Sequence, residues 1–460
     1  MRAQNGCTLK AMRGARDMRR FARHPGRQNR TGLSPPFPRA WALVVVATAG
    51  LFGCSPYGGG AFVCQSDTQC SSQGRSGTCQ PNGWCSFADT ACPSGQRYGS
   101  LGGDLSFLCV GQPASGDDGG LTEQRDASLV DASMSAACYG SSSFVRECFM
   151  SPPSSALELG TRDINTDPSS SDCNMVVAGG NLDACVISGS SIHIASGRFV
   201  TAHGSRPLVL ISTSTIVVDG TIDVASHQMG RIGPSANANP CPTGVSATTG
   251  DKGAGGGYGA SFAGRGGTGG NGEGGGLGGI APTPAAPAAT RGGCPGSNGA
   301  DTGGSRGSGG GAVHLIAAVS ITINGVINAS GAGGGGAANT SGAGGGGSGG
   351  MIGFDAPVIT VAAPAKVFAN GGGGGEGGGT GTGRPGEESI DGMAARGGAG
   401  GAKDGGDGGD GAQGAAPDGG RGQSNKIGQD GGGGGGGGAI GVIRKLGTLS
   451  NAGLISPPAS

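Results

Sequence analysis

The chain has 460 residues, 109 of them glycine, with aromatic residues at 4% and charged residues at 13%. Glycine brings no side chain to bury and loses the most backbone freedom on folding, which excludes an ordinary mixed α/β core and argues against helix beyond residue 180. The formal charge of zero joins two unlike pieces, +9 over residues 1–53 (ten basic, one acidic) and −9 over residues 54–460 (twenty basic, twenty-nine acidic); the acidic main part excludes nucleic acid and an anionic membrane surface as partners, since both need clustered positive charge.

The N-terminal 39 residues hold all ten of those basic side chains and a single acid, Asp17. Fourteen uncharged, largely apolar residues follow, Ala40 to Gly53. A bilayer span needs roughly 20 apolar residues, so this pattern of basic region and short apolar region predicts a secretory signal over residues 1–53 and not a membrane helix. The segment ends in Leu51, Phe52, Gly53 and Cys54, which resembles the bacterial lipobox. The resemblance implies that Cys54 becomes the first residue of the mature chain and carries lipid on its sulfur and amino group, giving an exported protein anchored at the outer membrane or cell surface. Phe52 is bulkier than the residue usual at its position. The alternative is an ordinary signal peptide and a secreted protein.

Setting aside Cys7 and Cys54 leaves twelve cysteines, an even number that in an exported chain predicts disulfides. Six of them, Cys64, Cys70, Cys79, Cys85, Cys92 and Cys109, fall in one short segment poor in aliphatic residues. Such a segment is too small to hold by apolar burial, so residues 54–110 are expected to form a disulfide-rich module. Zinc is disfavoured because the segment has no C-x-x-C and no histidine, and no metal or cofactor is expected elsewhere. The order "GWCSF" then "ACPSGQRYG" resembles a cysteine-rich module of predicted surface lipoproteins of myxobacteria. Residues 111–136 are polar and aperiodic, a linker. The other six cysteines pair by proximity as Cys138 with Cys148, Cys173 with Cys185, and Cys241 with Cys294.

Residues 137–460 read as one glycine-rich domain built on a repeat. Segments 207–226, 312–330, 351–370 and 439–456 each open on an apolar run, continue with an alternating triplet such as Ile216-Val217-Val218 or Ile321-Thr322-Ile323, turn at Asp219-Gly220 or Asn324-Gly325, and close on a triplet holding Ile222 or Ile327. Period-two alternation in such short units marks short strands. The expected fold is mainly β, a parallel β-helix-like solenoid with long glycine-rich loops; antiparallel hairpins are the other arrangement that uses the same turn dipeptides.

The excursions between copies, 249–280, 330–350, 371–386 and 393–438, read either as flexible loop or as something more ordered. Gly266, Gly269, Gly272, Gly275 and Gly278 keep a period of three, as do Gly344, Gly347, Gly350 and Gly405, Gly408, Gly411, Gly414. Three residues per turn is the polyproline II period, and glycine lets such helices approach closely, so the more ordered reading packs these tracts as a sheaf of extended helices beside the β-helix. "GGDGGD" at 405–410 matches a single calcium nonapeptide, whose sites need stacked copies. The G-x-G-x-x-G strings arise from composition and lack a strand-to-helix setting.

No catalytic residue is singled out. His193 and His314 lie among alternating strand residues, His203 in a bend, and no G-x-S-x-G is present. Asp219 and Asp223 are the candidates for a polysaccharide lyase or hydrolase, but Asn324 and Asn328 replace them in the next copy. The expected function is a surface-anchored lipoprotein with a structural or adhesive role, not an enzyme, whose partners are the membrane through the lipid and an extracellular glycan or neighbouring cells. The alternative, a carbohydrate-active enzyme, calls for three or more carboxylates and a basic residue on one face.

Overall fold

A computed structural model describes residues 64–111 and 137–460, apart from a few short internal stretches. Cys54, the apolar segment before it and nearly all of the 111–136 linker lie outside the described residues. The chain divides into two compact units, at Ala127 and Ser128.

The first unit holds β1 (Ser71–Ser72), β2 (Arg75–Ser76), β3 (Thr78–Cys79), β4 (Cys85–Ala88) and β5 (Gln96–Tyr98). Strands β3, β4 and β5 form an antiparallel sheet. Cys64–Cys79, Cys70–Cys85 and Cys92–Cys109 bond across it. Its core is little more than four of those cysteines and Tyr98, which is why covalent links replace aliphatic burial.

The second unit opens with the hairpin β6 (Ala137–Ser141) and β7 (Val145–Phe149), then β8 (Leu157–Glu158), β9 (Arg162–Asn165), β10 (Met175–Val177), β11 (Ala184–Gly189), β12 (Ile192–Ile194) and β13 (Phe199–His203). The repeat supplies β14 (Leu208–Ser212), β15 (Thr215–Val218), β16 (Thr221–Asp223), β17 (Ala312–Ala317), β18 (Ser320–Ile323), β19 (Val326–Asn328), β20 (Met351–Val361), β21 (Lys366–Phe368), β22 (Val442–Asn451) and β23 (Leu454–Ser456). The copies lie side by side in parallel. Ile192, Ile216, Ile321, Ile359 and Leu449 form one row, and Val200, Ile222, Ile327, Val367 and Ile455 another. Both rows point into one core. Complete burial of such aliphatic side chains contributes about 1.5–3 kcal/mol each.

Strands β15 and β18 alternate buried and half-exposed residues, as one-sided strands should. By contrast β14 and β17 are buried throughout. The hairpin, closed by Cys138–Cys148, lays Val145 and Phe149 over Val186, Val209, Ile211 and Ile316, so these strands are apolar on both faces.

The expected β-helix solenoid with glycine-rich loops is corrected on two counts. First, β20 pairs with both β17 and β18 and so joins them into a ten-stranded sheet, ordered β10-β11-β14-β17-β20-β18-β15-β12-β8 with β22 beside β20. This sheet nearly closes into a barrel, with a six-stranded parallel sheet, β23-β21-β19-β16-β13-β9, sharing its core. The cause is local. In the earlier copies a two-residue break separates the two apolar runs, whereas the β20–β22 pair passes from Asp355 to Val358 through a bulge, so each strand continues from one part of the sheet into the next.

Second, the glycine-rich excursions are not loops. Along the tract 432–439 the N–H groups of Gly432, Gly435 and Gly438 donate to Gly378, Gly375 and Gly372, each at 2.8 Å. Those of Gly433, Gly436 and Ala439 donate to Ala254, Gly257 and Ala260 at 2.9 Å. Those of Gly434 and Gly437 donate to Gln423 and Gly420. One tract thus serves three neighbours, a different one from each third residue, which is what an extended helix with three residues per turn permits. Residues 431–439 are all buried. The interior of this sheaf is backbone.

Candidate functional site

The richest group of ionisable side chains stands on the outer face of the six-stranded sheet. Strand β16 turns Ile222 into the core and therefore Asp223 outward. The following turn, in which His227 N donates to Arg231 O, brings His227 and Arg231 back over Asp223. The His227 Nε2 is 3.1 Å and an Arg231 guanidinium nitrogen 3.3 Å from the same Asp223 oxygen. Glu388, from the excursion after β21, approaches from the other side. Its Oε2 lies 2.7 Å from His227 Nδ1, and its Oε1 accepts the Gln228 N–H. Beyond Arg231, Asp163 on β9 accepts from the Thr201 hydroxyl at 2.6 Å and pairs with His203 at 3.1 Å.

Three carboxylates, two imidazoles and a guanidinium therefore share one face. Hydrogen bonds that His227 donates to Asp223 and then to Glu388 outweigh burial and push its pKa up to about 9. For Asp163, burial works upward, but the Thr201 hydroxyl, His203 and Arg231 together hold it below the usual carboxylate value. His227 is thus a cation at neutral pH with both ring nitrogens engaged. Cleavage of a glycosidic bond requires one carboxyl group kept protonated by a raised pKa. Asp163 is shifted in the opposite direction. What the arrangement does is clasp the segment around Glu388, between the 371–386 and 393–438 excursions, to the sheet.

Asp219 and Asp223, paired as candidates by the sequence, fall in separate clusters. Asp219 accepts from Asn324 Nδ2 at 2.7 Å and pairs with His193 at 2.9 Å, which hold its pKa down in that order. His193 also meets Glu158 at 2.9 Å, and its pKa is raised, chiefly by Asp219. The turn residues of successive copies are stacked, and the acid-to-amide change between copies is what lets Asn324 donate to Asp219. His203 ends β13, where a bend was expected. His314, expected on a polar strand face, is buried instead, and burial lowers its pKa to about 4. Its ring lies over its register partner, where a β-carbon on Gly353 would stand 2.6 Å from Nδ1.

All twelve described cysteines are in disulfides. Besides the three in the first unit and Cys138–Cys148, these are Cys173–Cys185 and Cys241–Cys294. The Cys64, Cys70 and Cys85 sulfurs lie within 4.8 Å of one another, but each is oxidised and so is no thiolate ligand. Sequence reasoning missed His227 and Glu388. They are 161 residues apart, and the one local signal was the four-residue spacing of Asp223 and His227. Six disulfides mark an exported or extracellular protein, and no described helix is long and apolar enough to cross a membrane.

No protein-family model matches the chain, and neither a curated protein nor a solved structure matches it.

Proposed function

We propose that this chain is a surface-anchored lipoprotein with an adhesive role, which holds a rigid glycine-rich body outside the cell for contact with matrix glycan or with neighbouring cells. The observation that carries this reading is the sheaf interior. Tract 432–438 bonds to three neighbours and leaves no room for side chains, so the body is stiff and its peripheral tracts present polar side chains at fixed spacing. The ionic cluster supports the same reading because it is closed on itself. Lipid on Cys54 supplies the anchor, and residues 111–136 the tether. Acyl chains add membrane affinity of about 0.8 kcal/mol per buried methylene, so a multiply acylated cysteine is a stable anchor.

The test is metabolic lipid labelling of the native chain and of Cys54→Ser, with protease digestion of intact cells. Label that disappears in the variant, on a protease-sensitive native protein, is the expected result. Unlabelled native protein in the medium would overturn the anchor.

A second reading, a polysaccharide lyase or hydrolase, has one observation in its favour: Asp163, Asp223 and Glu388 gather with basic residues on one face. Release of reducing ends from acidic or neutral polysaccharide, abolished by Asp223→Asn, would establish it over the adhesive reading.

A further inference from the structure

The outer edge of the sheaf carries a cleft of about 460 Å3. Tract 268–271 forms its floor. The bridge between Val245 and Ile280, with Leu277, makes one wall, and tract 421–424 makes the other. Val245 is 60%, Leu277 59% and Ile280 47% exposed. Three large aliphatic side chains lining one cleft form an apolar platform that folding does not require.

Polar groups converge on that platform. Thr268 and Asn271 are three residues apart, one turn of a polyproline II helix, and so share a face. Asn271 Oδ1 accepts the Gly278 N–H at 2.9 Å, which leaves both Nδ2 hydrogens uncommitted among the described residues. Ser424 Oγ accepts the Asn271 N–H at 3.1 Å and keeps its own proton to donate. Arg421 is exposed and makes no ion pair among the described residues. The floor is fixed beforehand, because Gly269 N donates to Gly279 and Gly270 N to Gly434.

We propose that this cleft binds a uronic-acid segment of an extracellular polysaccharide. The carbon–hydrogen face of the pyranose ring lies on Leu277 and Ile280, the ring hydroxyls accept from Asn271 and Ser424, and the sugar carboxylate meets Arg421. A guanidinium matches a carboxylate with two parallel hydrogen bonds, which a neutral sugar cannot offer. The aliphatic platform with a single cation favours an acidic sugar over a sulfated or phosphorylated polymer, which would call for several cations. This assignment rests on the adhesive reading above and names its ligand.

The experiment is calorimetric titration of the exported chain with oligogalacturonate and with oligoalginate, each beside its methyl ester, at low salt. At least one acidic oligomer is expected to bind, with its ester and the Arg421→Gln variant each at least tenfold weaker and Leu277→Ser about fivefold weaker. Both side chains are exposed, so unchanged thermal unfolding of the variants confirms that folding is not the cause. Failure of both acidic oligomers to bind, or equal affinity for the ester or for Arg421→Gln, would overturn the proposal. If oligomers do not bind while labelled cells still adhere, the cleft alone is wrong. If they bind while Cys54 carries no lipid, the anchor alone is wrong.

Discussion

A β-carbon on Gly435 would stand 1.9 Å from the carbonyl oxygen of Gly344, while the Gly435 N–H donates to Gly375 at 2.8 Å on another side. The residue is held by one neighbour and closed off by a second, and neither can retreat without breaking its own hydrogen bonds. Gly435→Ala is therefore expected to destabilise the second unit by about 3 kcal/mol, at the upper end for overpacking. Gly160→Ala is the control, since nothing lies within 4 Å of its β-carbon position. Urea unfolding of the two variants should separate them clearly. Equal midpoints would mean that the sheaf does not exist in solution.

The His227 clasp predicts a pH dependence with a definite sign. A folded pKa raised from 6.5 to about 9 means that the folded state holds the proton more tightly. Its stabilisation is complete below the unfolded value, weakens above it, and is gone once the pH has risen through about 9. The side chain is 35% exposed, so the contribution is discounted to about 1 kcal/mol. Melting temperatures of the native chain should fall between pH 7 and pH 10 by more than those of His227→Gln. Parallel profiles would show that the clasp contributes nothing.

Cys241–Cys294 closes a loop with a sequence separation of 53, the longest among the described residues. Chain-entropy reasoning assigns such a crosslink about 4 kcal/mol. The double variant Cys241→Ser, Cys294→Ser should lose close to that amount in non-reducing denaturation, whereas removing Cys138–Cys148, with a separation of 10, should cost less. The reverse order would show that native-state packing around Arg291, which approaches both sulfurs, matters more than the loop.

Glu376 is fully buried, yet its carboxylate accepts only backbone hydrogens: Oε1 from Gly401 and Ala402, Oε2 from Arg384 and Gly401. Glutamine has nearly the same shape, but in either orientation its amide NH2 faces an N–H. Glu376→Gln should cost about 2–3 kcal/mol, the range for hydrogen bonds to a charged group, with faster amide exchange at Gly401 and Ala402. Protected amides in the variant would show that these contacts do not hold the 381–402 segment.

The strands were legible because their signals are local. Ile321-Thr322-Ile323 alternates and Asn324-Gly325 turns whatever surrounds them, and the copies found one another in the register that keeps Ile216, Ile321 and Ile359 on the same side. The even count of cysteines was legible as disulfides for a similar reason: the pairs that are nearest neighbours after residue 137 are also close in the fold. The meeting of His227 with Glu388 was not legible, because it depends on where a glycine-rich excursion returns to the sheet.

Composition and period, then, determined by themselves that the described residues are strand with almost no helix, that they are stapled by disulfides, and that their glycine recurs at the spacing of a three-residue turn. Only the tertiary structure decided that β20 would join two parts of one sheet instead of turning between them, and that tracts from 254 to 438 would bond into a single sheaf. The physical reason is that a glycine carries no side chain to name its neighbour. Its position is set by backbone hydrogen bonds and close approach, which any glycine tract offers equally until the strands on either side have fixed where it begins and ends.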